Sequence, residues 1–220
     1  MTDLTRFVKL DFLTVKASMT LKNLVLFAIV GIVMNLQGDN SMLFIAYFLM
    51  FTTVFVTTAF FVSEKNNIYG LYATLSISRP TVIRGRYLFA LIADVCGSLF
   101  AFLLSFVIIT VRGKPFDFAE NLTLLGGAAA VFTLVQAVQM PIFFKLGYTK
   151  AKLLAYIPLA VFPAIVAVAA GIIPETWIGG FIAWLGGNAV LAGIIGGLLW
   201  LLAVSCSIGM SQRVYSKRDF

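Results

Sequence analysis

The sequence predicts an all-α, polytopic integral membrane protein: six transmembrane helices, an interfacial helix before them, a cytoplasmic helix between spans two and three, and a re-entrant segment before the last span. Three observations predict it. The 220 residues are 61% hydrophobic and 11% charged, where a soluble domain is about 45–50% apolar and about 25% charged. Their mean hydropathy is +1.02. Six segments reach the roughly 20 mostly apolar residues that a bilayer crossing needs, and lysine and arginine are confined almost wholly to one side of them.

Taken in order, residues 1–20 interleave Leu4, Phe7, Leu10 and Phe12 with lysines and aspartates. That amphipathic pattern suits a helix lying on the membrane surface. Asp3, Arg6, Lys9, Asp11 and Lys16 interrupt any apolar core of a cleavable signal peptide. The spans follow at about 21–37, 42–62, 87–111, 122–144, 153–173 and 188–209. Residues 63–86 form the longest polar stretch. Residues 174–187 (PETWIGGFIAWLGG) are too short and glycine-rich to cross, and place Trp177 and Trp184 at headgroup depth as a re-entrant segment. No stretch is polar enough for a separate soluble unit, so residues 1–220 read as one transmembrane domain.

Fourteen of the sixteen Lys and Arg residues precede or open span one, lie between spans two and three or four and five, or follow span six. Arg112 and Lys114 fall on the other side, with Asp39, Asp117, Glu120 and Glu175. The positive-inside rule then places both termini in the cytoplasm. The net charge of +7 is thus a topology signal and not a nucleic-acid footprint. There is no histidine, which removes the commonest metal ligand and general base. Cys96 and Cys206 sit in apolar runs with no metal or disulfide spacing.

Within the loop, Ile68, Leu71, Tyr72 and Leu75 recur at i, i+3, i+4 and i+7, one face of a helix. Arg79-Pro80 ends it, Pro80 suiting the first turn of the next helix. This face either docks in a groove of a partner protein or lies on the bilayer; the pattern favours neither.

The run Glu64-Lys65-Asn66-Asn67, then Leu75-Ser76-Ile77-Ser78-Arg79 and Gly85-Arg86-Tyr87, resembles the permeases of ABC-2 type transporters. Small bacterial members carry an E-K-N stretch after span two and an L-P-x-S-R-like stretch before span three; Ser76 stands where the family often has proline. The resemblance implies that residues 64–79 include a coupling helix seated in a separate ATP-binding subunit. Glu64, Lys65, Asn66, Asn67, Ile68, Leu71, Tyr72, Leu75, Ser78 and Arg79 would form the docking region, with Glu64 and Lys65 at its hinge. It further implies two permease copies with two ATPase subunits in a bacterial cytoplasmic membrane. No G-x-x-x-x-G-K-[ST] run occurs, so ATP and Mg²⁺ belong to the partner and this chain is expected to bind no cofactor.

Inside the spans, Asp94 is the one acidic residue, roughly 10 Å into span three from Tyr87 at about 1.5 Å per residue. Such carboxylates face the bundle interior or a watery cavity; Ser98, Ala101 and Ser105 continue its face. Asp94 fits a packing hydrogen bond, a proton relay or a cationic-substrate contact. Thr53 and Thr57 on span two, and Thr133, Gln136 and Gln139 on span four, could line a translocation route or tie helices together. Ala189, Gly193 and Gly197 form a small-xxx-small face, suited to packing within the protomer or, second, to a dimer seam. Pro158 and Pro163 kink span five.

The leading expectation is an exporter permease for amphipathic peptides, toxins or lipophilic compounds. The alternative is a six-helix micronutrient-binding subunit of an importer, disfavoured by outer loops poor in polar groups. An intramembrane enzyme lacks its histidine, its paired aspartates or its clustered metal ligands.

Overall fold

The computed structural model describes residues 3–18, 25, 29–31, 33, 41–68, 72, 77–153, 176–177, 179–180, 184 and 187–217. Among them there is no strand. Five long helices are seen: α1 (Asp3–Ser18), α2 (Ser41–Lys65), α3 (Arg79–Val111), α4 (Phe118–Leu146) and α5 (Ala189–Ser216). Helices α2 to α5 are each long and apolar enough to cross a membrane, and they match the predicted spans two, three, four and six. Most of span one (21–37), of span five (153–173) and of the segment 174–187 lies outside the described residues.

Each helix is bounded by local chemistry. Helix α2 ends where Asn67 adopts φ 49°, a left-handed conformation that asparagine tolerates better than other side-chain-bearing residues. Ser78 caps α3: its hydroxyl accepts from the Thr81 amide at 3.4 Å, and Pro80 occupies the first turn. Asp117 caps α4, accepting from the Glu120 amide at 3.0 Å. Gly147, at φ 77°, turns the chain after α4, and residues 148–153 are again helical.

Helix α3 starts at Arg79, as Pro80 suggested, and extends beyond the apolar run 87–111. Its 33 residues extend about 50 Å, against a hydrocarbon core of about 30 Å. Arg79, Arg84 and Arg86, expected in a loop, are its first two turns. Helix α1 packs along one face on the bundle. Phe7, Asp11 and Val15, at i, i+4 and i+8, are buried and pack against α2 and α3. Phe12 and Leu13 remain exposed, so one face is left for lipid.

The main core sits at the end of the bundle where α2, α4 and α5 finish and α3 begins. This is the end rich in lysine and arginine. Phe60 stacks on Phe143 (ring centroids 5.0 Å apart) and meets Phe144 edge-on (5.2 Å), and Phe144 meets Tyr215 of α5 at 5.3 Å. Arg79 reaches across to donate to the Ser216 carbonyl, where a cation complements the helix C-terminus. At the opposite end, Phe102, Phe106, Phe116 and Phe118 cluster around the α3–α4 turn.

Pro141 lies inside α4 and cannot supply the amide that the Ala137 carbonyl, four residues earlier, would accept. The Ser207 hydroxyl of α5 donates to that carbonyl instead. Tyr87 of α3 meets Ser207 at 2.5 Å and Ser211 at 2.9 Å, hydroxyl to hydroxyl. The proline thus creates an acceptor that joins three helices. Among the described residues, a Cβ added at Gly193 or Gly197 of α5 would meet nothing within 4 Å.

Candidate functional site

Two neighbouring regions hold the residues singled out by sequence. The first joins the 63–79 segment to α1 and the start of α3. Arg86 is fully buried. Its Nε lies 3.1 Å from Asp11 Oδ2, also fully buried, and its Nη2 donates to Ser63 Oγ at 2.8 Å. Its guanidinium carbon sits 4.7 Å from the Phe60 ring centroid and 5.9 Å from that of Phe7. One arginine thus ties α1, α2 and α3 together. Burial raises the Asp11 carboxyl to about 6, against the pull of Arg86 in the other direction. Gly85 lets α1 approach: a Cβ there would stand 2.3 Å from Phe7 Cδ1.

Of the expected docking residues, Lys65, Asn66, Asn67, Ser78 and Arg79 are exposed. Tyr72 is not. It is 2% exposed, its ring 5.2 Å from Phe7, and partly buried Ile68 packs against the same core. Ile68 and Tyr72, the two described residues of the predicted apolar face, are turned toward the protein's own body. Leu71 and Leu75 lie outside the described residues. Glu64 accepts from the backbone amides of Tyr148 and, at 3.1 Å, Thr149, pinning the 147–153 turn to the end of α2. Lys65 lies over the Phe61 ring at 5.8 Å.

The second region is a polar cluster at mid-helix. Asp94 Oδ1 accepts from Thr52 Oγ1 of α2 and from Gln136 Nε2 of α4, each at 2.8 Å. Gln136 Nε2 also donates to Thr53 Oγ1 at 3.2 Å. Gly97 makes room: a Cβ there would lie 2.1 Å from Thr52 Cγ2. Thr53, Asp94 and Gln136 are therefore brought together as their polarity suggested. Thr57 is buried and bonds within its own helix, to the Val54 carbonyl at 2.9 Å. Gln139 is buried a turn along α4. Thr133 donates within α4 and accepts from Trp200 Nε1 at 2.7 Å.

Sequence reasoning missed Thr52 and Trp200 as members of this cluster, and the Asp11–Arg86 pair altogether. Gly97 beside Asp94 is the one sequence signal for a close helix approach. Among the described residues no group of His, Cys, Asp or Glu could hold a metal ion.

No curated protein and no solved structure matches the chain. A family described as "ABC-2 family transporter protein" matches residues 6–216. The chain therefore belongs to this ABC-2 transporter family, as a transmembrane permease that works with an ATP-binding subunit at the membrane.

Proposed function

We propose that the chain is the permease of an exporter that moves amphipathic peptides, toxins or lipophilic compounds. Two copies assemble with two ATP-binding subunits in a bacterial cytoplasmic membrane, both termini in the cytoplasm. The observation that carries this reading is the continuity of α3. It begins at Arg79, directly after the 63–78 segment, and runs unbroken to Val111. Arg86 locks its first turns to α1 and α2. A push that reaches Arg79 is carried along an unbroken helix into the membrane part of α3. Docking then rests on the exposed Lys65, Asn66, Asn67, Ser78 and Arg79, while Tyr72 and Ile68 fix the segment from behind. The Gly193 and Gly197 face, which meets none of the described residues, supports a second permease copy.

The reading is tested in proteoliposomes holding the permease and its ATP-binding subunit. ATP-dependent accumulation of a labelled amphipathic peptide inside inverted vesicles is expected, from a particle whose mass fits two copies of each chain. Uptake of a micronutrient in the reverse sense would overturn it.

A further inference from the structure

We infer that the cleft between α3, α4 and α5 binds an organic cation with an apolar body, Asp94 serving as counter-ion and Trp200 and Tyr87 as aromatic walls. This names a substrate class for the exporter reading and rests on it for the cargo being amphipathic. The cavity measures about 260 Å³ and is lined by Asp94, Tyr87, Thr133, Gln136, Met140 and Trp200 among others. Asp94 is 3% exposed. Its Oδ1 takes both neutral donors, Thr52 and Gln136, and its buried Oδ2 has no hydrogen-bond partner. Among the described residues no lysine or arginine pairs with it.

A carboxylate at membrane depth is costly unless something positive or protic meets it. The walls suit a cation. Trp200 spends its N–H on Thr133, three residues along α4 from Gln136, the residue that bonds Asp94. Tyr87 spends its hydroxyl on Ser207 and Ser211. What these rings have left is their faces, which attract cations most strongly where water is excluded. Arg84 also lines the cavity, but it is exposed and ten residues, about 15 Å along the axis, from Asp94. The rim is thus positive and wet, the floor negative and dry. A small quaternary ammonium, or the cationic group of an amphipathic cargo, fits that floor, and its fixed charge leaves no proton to exchange.

The test uses the full chain in nanodiscs with Trp177→Phe and Trp184→Phe, so that Trp200 is the reporting indole. Benzyltrimethylammonium is titrated against its neutral carbon isostere, neopentylbenzene. Saturable Trp200 quenching by the cation is expected, with affinity at least about tenfold above the isostere. Asp94→Asn removes that preference while leaving the isostere's affinity unchanged, and Val204→Phe, which fills the cavity from α5, weakens both ligands. Equal binding of the two ligands, or full cation affinity in Asp94→Asn, overturns the inference. If Asp94→Asn loses the isostere as well, Val204→Phe decides, and unchanged cation binding there overturns it. A complex that transports its peptide on ATP while the permease ignores the cation leaves the exporter reading standing and removes the cation site alone.

Discussion

At Gly97 a single methyl group would stand 2.1 Å from Thr52 Cγ2, and Thr52 is too short to swing aside without leaving Asp94. Gly97→Ala should therefore separate α2 from α3 and cost about 1–3 kcal/mol, measured as a lowered midpoint of unfolding in detergent. The Asp11–Arg86 pair gives a pH-dependent counterpart outside the spans. Asp11 titrates near 6 when folded and near 3.8 when unfolded, so between those values the folded chain holds more of a proton than the unfolded one. Its contribution to stability rises as pH falls across that window and is flat above it. Asp11→Asn should flatten this segment of the pH–stability profile. Arg86→Met, which strands the buried carboxylate, should cost about 3–5 kcal/mol. Asp94 was legible in the sequence because a lone carboxylate in an apolar run must turn inward. Asp11 and Arg86 were not: each lies among other charges 75 residues apart, and only tertiary packing selects that pair.

At the scale of the element, helix existence was legible and helix orientation was not. Apolar runs placed α2, α4 and α5 to within a few residues at most ends, and Pro80 marked the start of α3. The extra turns of α3 were hidden because Arg84 and Arg86 break its hydropathy, although one of them is buried. The spacing of Ile68 and Tyr72 revealed an apolar face, but periodicity cannot tell which neighbour covers a face; here it is Phe7 of α1. The α4–α5 seam follows from Pro141. Ser207→Ala leaves the Ala137 carbonyl without its donor and removes one partner of Tyr87. A loss of about 1–3 kcal/mol is expected, and Pro141→Ala in the same chain should restore part of it by supplying the missing backbone amide. Thermal unfolding of the single and double variants checks this; equal loss in both would contradict the proline's role.

For the whole molecule, composition alone forced a membrane solvent, and the charge asymmetry gathered the basic residues at one end, where the structure places the main core, the α1 clamp and the 63–79 segment. The family was legible in a short run, residues 64–87, because those residues carry geometry: Glu64 holds the 147–153 turn, Ser78 caps α3, Arg79 anchors the end of α5, Gly85 admits Phe7, and Arg86 ties three helices. What covers the small-residue face of α5 was not legible, since small residues at four-residue spacing serve a tight seam in either chain. The central claim is that the exposed side of residues 65–67, backed by a buried Tyr72, transmits the partner's work to α3. The measurement that tests it most directly is ATPase activity and transport of the purified complex carrying Asn66→Trp, beside Arg86→Met. Asn66→Trp should leave the isolated permease as stable as the parent while lowering recovery of the ATP-binding subunit and ATP-driven transport at least about tenfold, the loss of roughly 1.4 kcal/mol of interface energy. Wild-type assembly and transport in Asn66→Trp would contradict the account.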